Sequence, residues 1–309
     1  MNIINEILEN QLENDIEDVQ PSENLHELSD SELESGDYMM VATSGTTGES
    51  TKVPLRKDNL DHYRELNAEA FSLAGIQEED IALNLGAPLP HLSGWAIDEG
   101  IKLAGSGPAN ESYEDLFGNP KLDESLEVSP ESITSLITLP RVALRAGENV
   151  EQFTDLPASE IFPNLETGIF SGDVVNEPIR DSLKDTFGFE NVMETYATSE
   201  VGFIASAIDE SSQMVPLLDN YIFEVVPDED FQAEYGSEPI DIREIDKPII
   251  GELALTDPYR EAFDFSRYLI GDKIKVNPGH MSKPDESIPT FEYMGRSDEI
   301  LSFGGANVH

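Results

Sequence analysis

The sequence contains no cysteine, so thiol nucleophiles, disulfide frameworks and Cys-ligated metal centres are all excluded. Basic residues are scarce: 18 Lys and Arg stand against 63 Asp and Glu, for a formal charge of −45. Nucleic-acid binding needs clustered cations, and the composition argues against such a partner. No apolar run approaches the roughly 20 residues of a membrane span, and no basic-then-apolar leader opens the chain. A soluble, cytoplasmic protein without a membrane partner is expected.

What is present belongs to a folded protein. The 309 residues, 39% of them hydrophobic, can bury one large domain or two smaller ones. Disordered acidic chains are poor in apolar residues, whereas this one keeps apolar runs at 133–139 and 249–255. Its acids are spread along the whole length and repel one another. Molar salt shortens the Debye length to about 3 Å and screens that repulsion. The composition therefore favours a salt-rich, halophilic cytoplasm over an ordinary one. Any anionic ligand will need locally placed cations.

Residues 1–36 read as an acidic helical segment, with Ile3, Ile7, Leu8 and Leu12 at helical spacing. A buried strand is expected over 37–43, a short strand over 52–55, and a helix over about 59–74 capped by Asp58. Two short strands, 81–85 and 89–92, flank Gly86-Ala87-Pro88, and a helix follows Gly94. Buried strands at 133–139 and 166–171, separated by helices, give an α/β layered region over 37–218. From Asp219 the pattern changes to closely spaced strands at 221–226, 249–256, 272–276 and 289–294, a β-rich lobe over 219–294.

The segment Ser44-Gly45-Thr46-Thr47-Gly48-Glu49-Ser50-Thr51-Lys52 is the first candidate for chemistry. Glycines allow the backbone N–H groups to approach an anion, hydroxyls add donors and a lysine adds charge. The Walker spacing is absent. By itself the segment reads equally as a phosphate cradle or as an ordinary polar turn.

Strand, Ser-Gly-Thr-Thr-Gly, Lys and strand together resemble the phosphate-binding loop of the adenylate-forming ligase superfamily, which includes acyl-CoA synthetases, nonribosomal adenylation domains and luciferases. Four further segments resemble that family's motifs in order. Ser171-Gly172-Asp173 is similar to its adenine-lining segment, and Tyr196-Ala197-Thr198-Ser199-Glu200 to the motif whose tyrosine stacks on adenine and whose glutamate helps hold magnesium. Tyr268 to Asp272 resembles the ribose-binding motif, and Gly295-Arg296-Ser297-Asp298 the hinge motif, extended by 304–308. The compact start and the Arg267-Tyr268-x-x-x-Asp272 form most resemble phenylacetate–CoA ligase relatives.

The resemblance implies the large N-terminal domain of an adenylate-forming enzyme, an α/β core with a strand-rich lobe, in which 295–309 is the hinge opening a small C-terminal domain that would lie beyond His309 or on a separate chain. It implies ATP, Mg2+ and CoA as cofactors, a carboxylic acid as substrate, and CoA or another acyl acceptor. Thr46, Lys52 and Glu200 take the catalytic positions, with Glu200 the metal ligand. Ser44, Gly45, Thr46, Thr47, Gly48, Lys52, Ser171, Gly172, Asp173, Tyr196, Ala197, Ser199, Asp272 and Arg296 take the nucleotide positions. His91, Gly94 and Trp95 border the acyl pocket. Bland readings stand beside these: Tyr196 as a core tyrosine, Asp272 as a turn aspartate, Arg267 as a structural ion-pair partner, His91 as structural. Ala197 stands where the family has glycine, which is expected to restrict that turn, and Asp173 where glutamate or alanine is common. A non-catalytic nucleotide- or acyl-AMP-binding remnant and an enzyme using an amine or carrier-protein acceptor remain alternatives, and the acid is not specified.

Overall fold

The computed structural model describes residues 36–42, 52–87, 91–110, 128–198, 201–259, 265–279, 288–297, 301–303 and 306–308. Residues 1–35 of the helical segment expected over 1–36, residues 43–51, Ser199, Glu200 and Asp298 lie outside them. Strands β1 (Tyr38–Ala42) and β2 (Lys52–Arg56), which flank the Ser/Thr/Gly loop, pair with each other. The chain divides into two compact units, one made of residues 40–54 and 60–212, the other of 1–39, 55–59 and 213–309.

The first unit is built on parallel strands. β3 (Ile81–Asn84), β4 (Gly107–Asn110), β5 (Ser135–Thr138), β6 (Thr167–Phe170) and β7 (Asn191–Thr198) lie in the order β4-β3-β5-β6-β7, and β8 (Gly202–Ala207) runs antiparallel to β7. Strands covered on both faces should be continuously apolar, and all four residues of β5 are buried. The helices are α1 (Leu60–Leu73), α2 (Leu92–Leu103), α3 (Pro140–Thr154), α4 (Ala158–Ile161) and α5 (Glu177–Phe187). In α3, Ala143, Ala146, Gly147 and Val150 recur at helical spacing and form its buried stripe. They join a core containing Leu136, Phe170, Leu183, Phe187 and Val192. Helix α5 has clear end signals: the Asn176 carboxamide accepts from the Ile179 N–H at 3.1 Å, and Gly188 closes it at φ 77°.

The second unit holds the antiparallel order β11-β10-β12-β13-β14-β9, made of β9 (Met214–Pro216), β10 (Ile222–Pro227), β11 (Ile240–Asp241), β12 (Ile249–Thr256), β13 (Tyr268–Asn277) and β14 (Thr290–Arg296). Burial alternates residue by residue along the whole of β13, as expected for a sheet with one face in the core. Helix α6 (Glu229–Tyr235) follows β10, and β15 (Leu301–Phe303) pairs with β16 (Ala306–Val308).

Three local expectations are corrected. Asp58 does not cap α1; it sits in a short 3-10 turn and its carboxylate is taken by Arg56 at 2.9 Å. Helix α2 starts at Leu92 rather than after Gly94, so Leu92, placed in a strand by its apolar neighbours, is in the first buried turn of the helix. Asp272 does not follow a turn that opens a strand; it lies in the middle of the ten-residue β13.

Candidate nucleotide-binding site

In an open parallel sheet, ligands bind beyond the carboxyl ends of the strands, near the point where the strand order reverses. That point lies at β3, whose chain continues first to β4 on one side and then to β5 on the other. The carboxyl ends of the strands are stitched together by hydrogen bonds. Leu85 N–H donates to Ile137 O at 3.1 Å, Thr138 Oγ1 to Leu85 O at 3.2 Å, and Ser171 N–H to Thr138 O at 3.2 Å. This gives a rigid rim from which the next residues project.

Gly94 and Trp95 belong to the first turn of α2, the helix that follows β3 in the chain, and His91 immediately precedes that turn. Buried Asn84, the last residue of β3, ties that turn to the rim: its Nδ2 donates to Gly94 O at 3.0 Å and its Oδ1 accepts from Gly86 N–H at 2.8 Å. Gly94 N–H in turn reaches Ala87 O at 2.9 Å, and any Cβ at Gly94 would collide with that carbonyl. Gly94 is thus required by close backbone approach. His91 is half-buried at the helix N-cap position without a side-chain cap bond.

Ser171, Gly172 and Asp173 leave the end of β6. Gly172 takes φ 82°, a left-handed conformation suited to glycine, and Asp173 faces Arg141 of α3 at 3.5 Å. Tyr196 and Ala197 lie near the end of β7. Tyr196 is 8% exposed, so most of its ring is packed in the protein. The register slips between Tyr196 and Ala197 against β8, marking a bulge. Ala197 is absent from the positive-φ residues, so its methyl brings no left-handed strain.

Lys52 is the first residue of β2, at the end of the 43–51 segment. Asp272 and Arg296 belong to the second unit, where they are cross-strand partners in the β13–β14 register. Arg296 Nη1 donates to Asp272 Oδ1 at 3.1 Å and to Ile270 O at 2.9 Å. A Cβ on Gly271, at φ 80°, would stand 2.7 Å from Arg296 Nη2. Nearby Glu252 is pushed above the usual carboxylate range by burial, against opposing contributions from Ser297, Lys273 and Arg296.

Arg267 does not join this group. Its Nε reaches Glu224 Oε2 at 3.0 Å and its Nη2 reaches Oε1 at 3.0 Å, a two-pronged pair on a buried carboxylate. The structural reading of Arg267 is therefore the one observed. Asn84, Thr138 and Glu194 were missed, although polar residues inside apolar strand runs signalled them all.

No family model matches the sequence. Two curated relatives do: phenylacetate–coenzyme A ligase of Pseudomonas putida, 23% identical over 280 residues, 86% of this chain and 56% of that protein, and D-alanine–D-alanyl carrier protein ligase of Lacticaseibacillus rhamnosus, 22% identical over 288 residues, 86% of this chain and 47% of that protein. Among solved structures, an open 2-hydroxyisobutyryl-CoA ligase in complex with its acyl-AMP and CoA superposes with a TM-score of 0.67 at 15% identity, covering 91% of this chain and 61% of that one. ATP-bound MatB from Rhodopseudomonas palustris gives a TM-score of 0.57 at 17% identity, covering 87% and 50%. The chain has the adenylate-forming ligase fold. It spans about half the length of the curated relatives it matches.

Proposed function

We propose that this chain is the nucleotide- and acyl-binding part of an enzyme that activates a carboxylic acid with ATP and passes the acyl group to a thiol, with CoA as the acceptor. The observation that carries this reading is the gathering of three separated segments, His91–Trp95, Ser171–Asp173 and Tyr196–Ala197, at the carboxyl rim of one parallel sheet in the ligase fold. Both curated relatives are named as acid ligases, one acting toward coenzyme A and one toward a carrier protein. A carrier-protein thiol is accordingly the second acceptor to test.

In the proposed first step a carboxylate oxygen attacks the α-phosphorus of ATP, the bond to the bridging β-oxygen breaks, and pyrophosphate leaves acyl-AMP behind. In the second, the acceptor's sulfur attacks the acyl carbonyl carbon, AMP departs and the thiol proton passes to solvent. Little covalent chemistry falls to the protein, which has to align two anions and offset their charge. Ser44, Gly45, Thr46, Thr47, Gly48 and Lys52 are proposed to hold the phosphates, with the 171–173 turn and Tyr196-Ala197 along the adenine and Ser199 on phosphate. Magnesium, held by Glu200 and phosphate oxygens, would supply further charge neutralisation. Asp272 is proposed for the ribose hydroxyls; its bond to Arg296 orients the carboxylate. His91, Gly94 and Trp95 are proposed to border the acid.

The test is ATP–pyrophosphate exchange over a panel of carboxylic acids in concentrated potassium chloride, using this chain and the longest protein its gene encodes. Exchange above background with one class of acid is expected. Absence of exchange with every acid in the longer protein sinks the proposal. Release of AMP on adding CoA, and not on adding a phosphopantetheinyl carrier protein, distinguishes the acceptors.

A further inference from the structure

Glu194 is a buried carboxylate in the middle of β7, 6% exposed, on a strand whose neighbours Val192, Met193 and Thr195 are also buried. It lies opposite Phe170, the last residue of β6, where the 171–176 turn leaves the sheet. Three groups converge around it. Val175 N–H donates to Oε1 at 3.2 Å, Ser212 Oγ to Oε2 at 2.7 Å, and Arg180 Nη2 to Oε2 at 3.1 Å. Arg180 also donates to the carbonyls of Val192 and Val175. One ion pair thereby ties the turn, the first half of α5 and the strand beneath them.

Stability alone does not account for a charged pair in this place. Removing two ions from water costs several kcal/mol each, and well-packed apolar replacements are often neutral or stabilising. The pair does confer a fixed path on the turn. Its near end is held by Ser171 N–H on Thr138 O, and its far end by Val175 N–H on Glu194. Between these anchors Gly172, Asp173 and Val174 are exposed, with Val174 presenting 48% of its surface at the carboxyl rim. An anchored turn with an exposed apolar side chain and free-standing backbone suits the edge and face of a purine.

We propose that Glu194 and Arg180 are positioning residues for the base of the nucleotide, acting through the 171–176 turn. This rests on the nucleotide reading given above. The two residues touch no phosphate in this scheme, so their loss should affect recognition of the base and leave polyphosphate binding alone.

The test uses the whole chain in magnesium and concentrated potassium chloride, with equilibrium binding of ATP, GTP and inorganic tripolyphosphate. The variant is the double change Arg180→Met and Glu194→Met, which leaves the net charge unaltered. Its melting temperature is expected to stay close to that of the wild type. ATP affinity should fall about tenfold, the lower end of the loss found when a residue that orients a metal ligand is removed. The preference for ATP over GTP should shrink with it, and tripolyphosphate affinity should not change. Arg180→Lys, which keeps the charge, should recover part of the loss. Unchanged ATP affinity and unchanged ATP-over-GTP preference in the double variant would overturn the positioning role. Should that variant not fold, Ser212→Ala removes one bond to the carboxylate and should weaken ATP in the same direction; an indifferent Ser212→Ala then overturns the role. A wild-type chain that binds no ATP sinks the nucleotide reading itself, which separates the two failures.

Discussion

At the scale of single residues, the Glu224–Arg267 pair shows how burial and charge compete. Glu224 is 5% exposed, and burial pushes its carboxyl above the usual range even though Arg267 pulls it the other way. The folded state therefore binds a proton more readily than the unfolded chain. Between the ordinary glutamate value of 4.5 and the raised one, stability falls as pH rises through that window. Glu210 and Glu292 work in the opposite sense. Burial raises them, but Lys184 on Glu210, and Lys275 and Gln213 on Glu292, lower them overall, so their stabilisation is lost as pH falls. A difference curve isolates Glu224. Glu224→Gln removes one titration and leaves Arg267 charged throughout, so its offset is constant with pH. Unfolding free energies measured from pH 4 to pH 7 should show wild type losing ground to the variant as pH rises, by about 1.4 kcal/mol for each pH unit the window spans. Parallel curves would remove the burial argument. The backbone at Arg267 has its own constraint: at φ 48° it is held by its N–H on Thr256 Oγ1 at 2.8 Å. Nothing local in the sequence pairs it with Glu224, 43 residues away.

Among elements, the α3–α5 contact sets helix propensity against packing. Gly147 lies in the middle of α3, where alanine is favoured by about 1 kcal/mol on propensity alone. A Cβ there would collide with the Thr186 methyl on α5. That methyl is not free to swing away, because Thr186 Oγ1 donates to Ser182 O at 2.8 Å. Overpacking of this kind costs about 1–3 kcal/mol, so the clash should win and Gly147→Ala should destabilise the protein. In a Thr186→Ser background, which keeps the hydroxyl and removes the methyl, the same change should become neutral or stabilising. Denaturant unfolding of the four proteins checks the cycle, and additive effects would show that the helices do not meet there. Elements of this sort were largely legible in the sequence. The apolar runs at 133–139 and 249–255 correspond to β5 and β12, and Asn176, Pro178 and Gly188 bracket α5. The failures have physical causes. Leu92 was read into a strand because a short apolar run lacks periodicity, and Asp58 looked like a cap until Arg56 claimed it. The Glu194–Arg180 clamp was not legible, because it depends on a contact between residues 14 apart on different elements.

For the whole molecule the governing quantity is charge. A formal −45 on 309 residues leaves acids far in excess of the bases available to pair with them. Several described pairs are at the surface, such as Lys247–Glu234 and Arg56–Asp58, and exposed pairs of this type contribute little. Salt weakens these attractions and also the repulsion among unpaired carboxylates, so the sign of its effect depends on which are more numerous. With 63 acids against 18 bases, repulsion dominates. The Debye length falls from about 10 Å at 0.1 M to about 3 Å at 1 M, which spans the spacing of neighbouring surface charges. The melting temperature should therefore rise steeply with potassium chloride up to roughly 1 M and flatten beyond it, where screening is nearly complete. Sucrose, which favours burial without screening, should not reproduce the steep part. Lowering the pH toward protonation of the carboxylates should shrink the salt dependence, because it removes the same repulsion by another route. Melting curves over potassium chloride at two pH values test all three parts. A melting temperature that is flat or falls with salt at neutral pH would mean that the few cations are placed well enough to outweigh the excess acids. The same salt series bears on the proposed site: under that proposal ATP approaches a negative molecule, so its association rate should increase with potassium chloride, the reverse of steering toward a basic cleft.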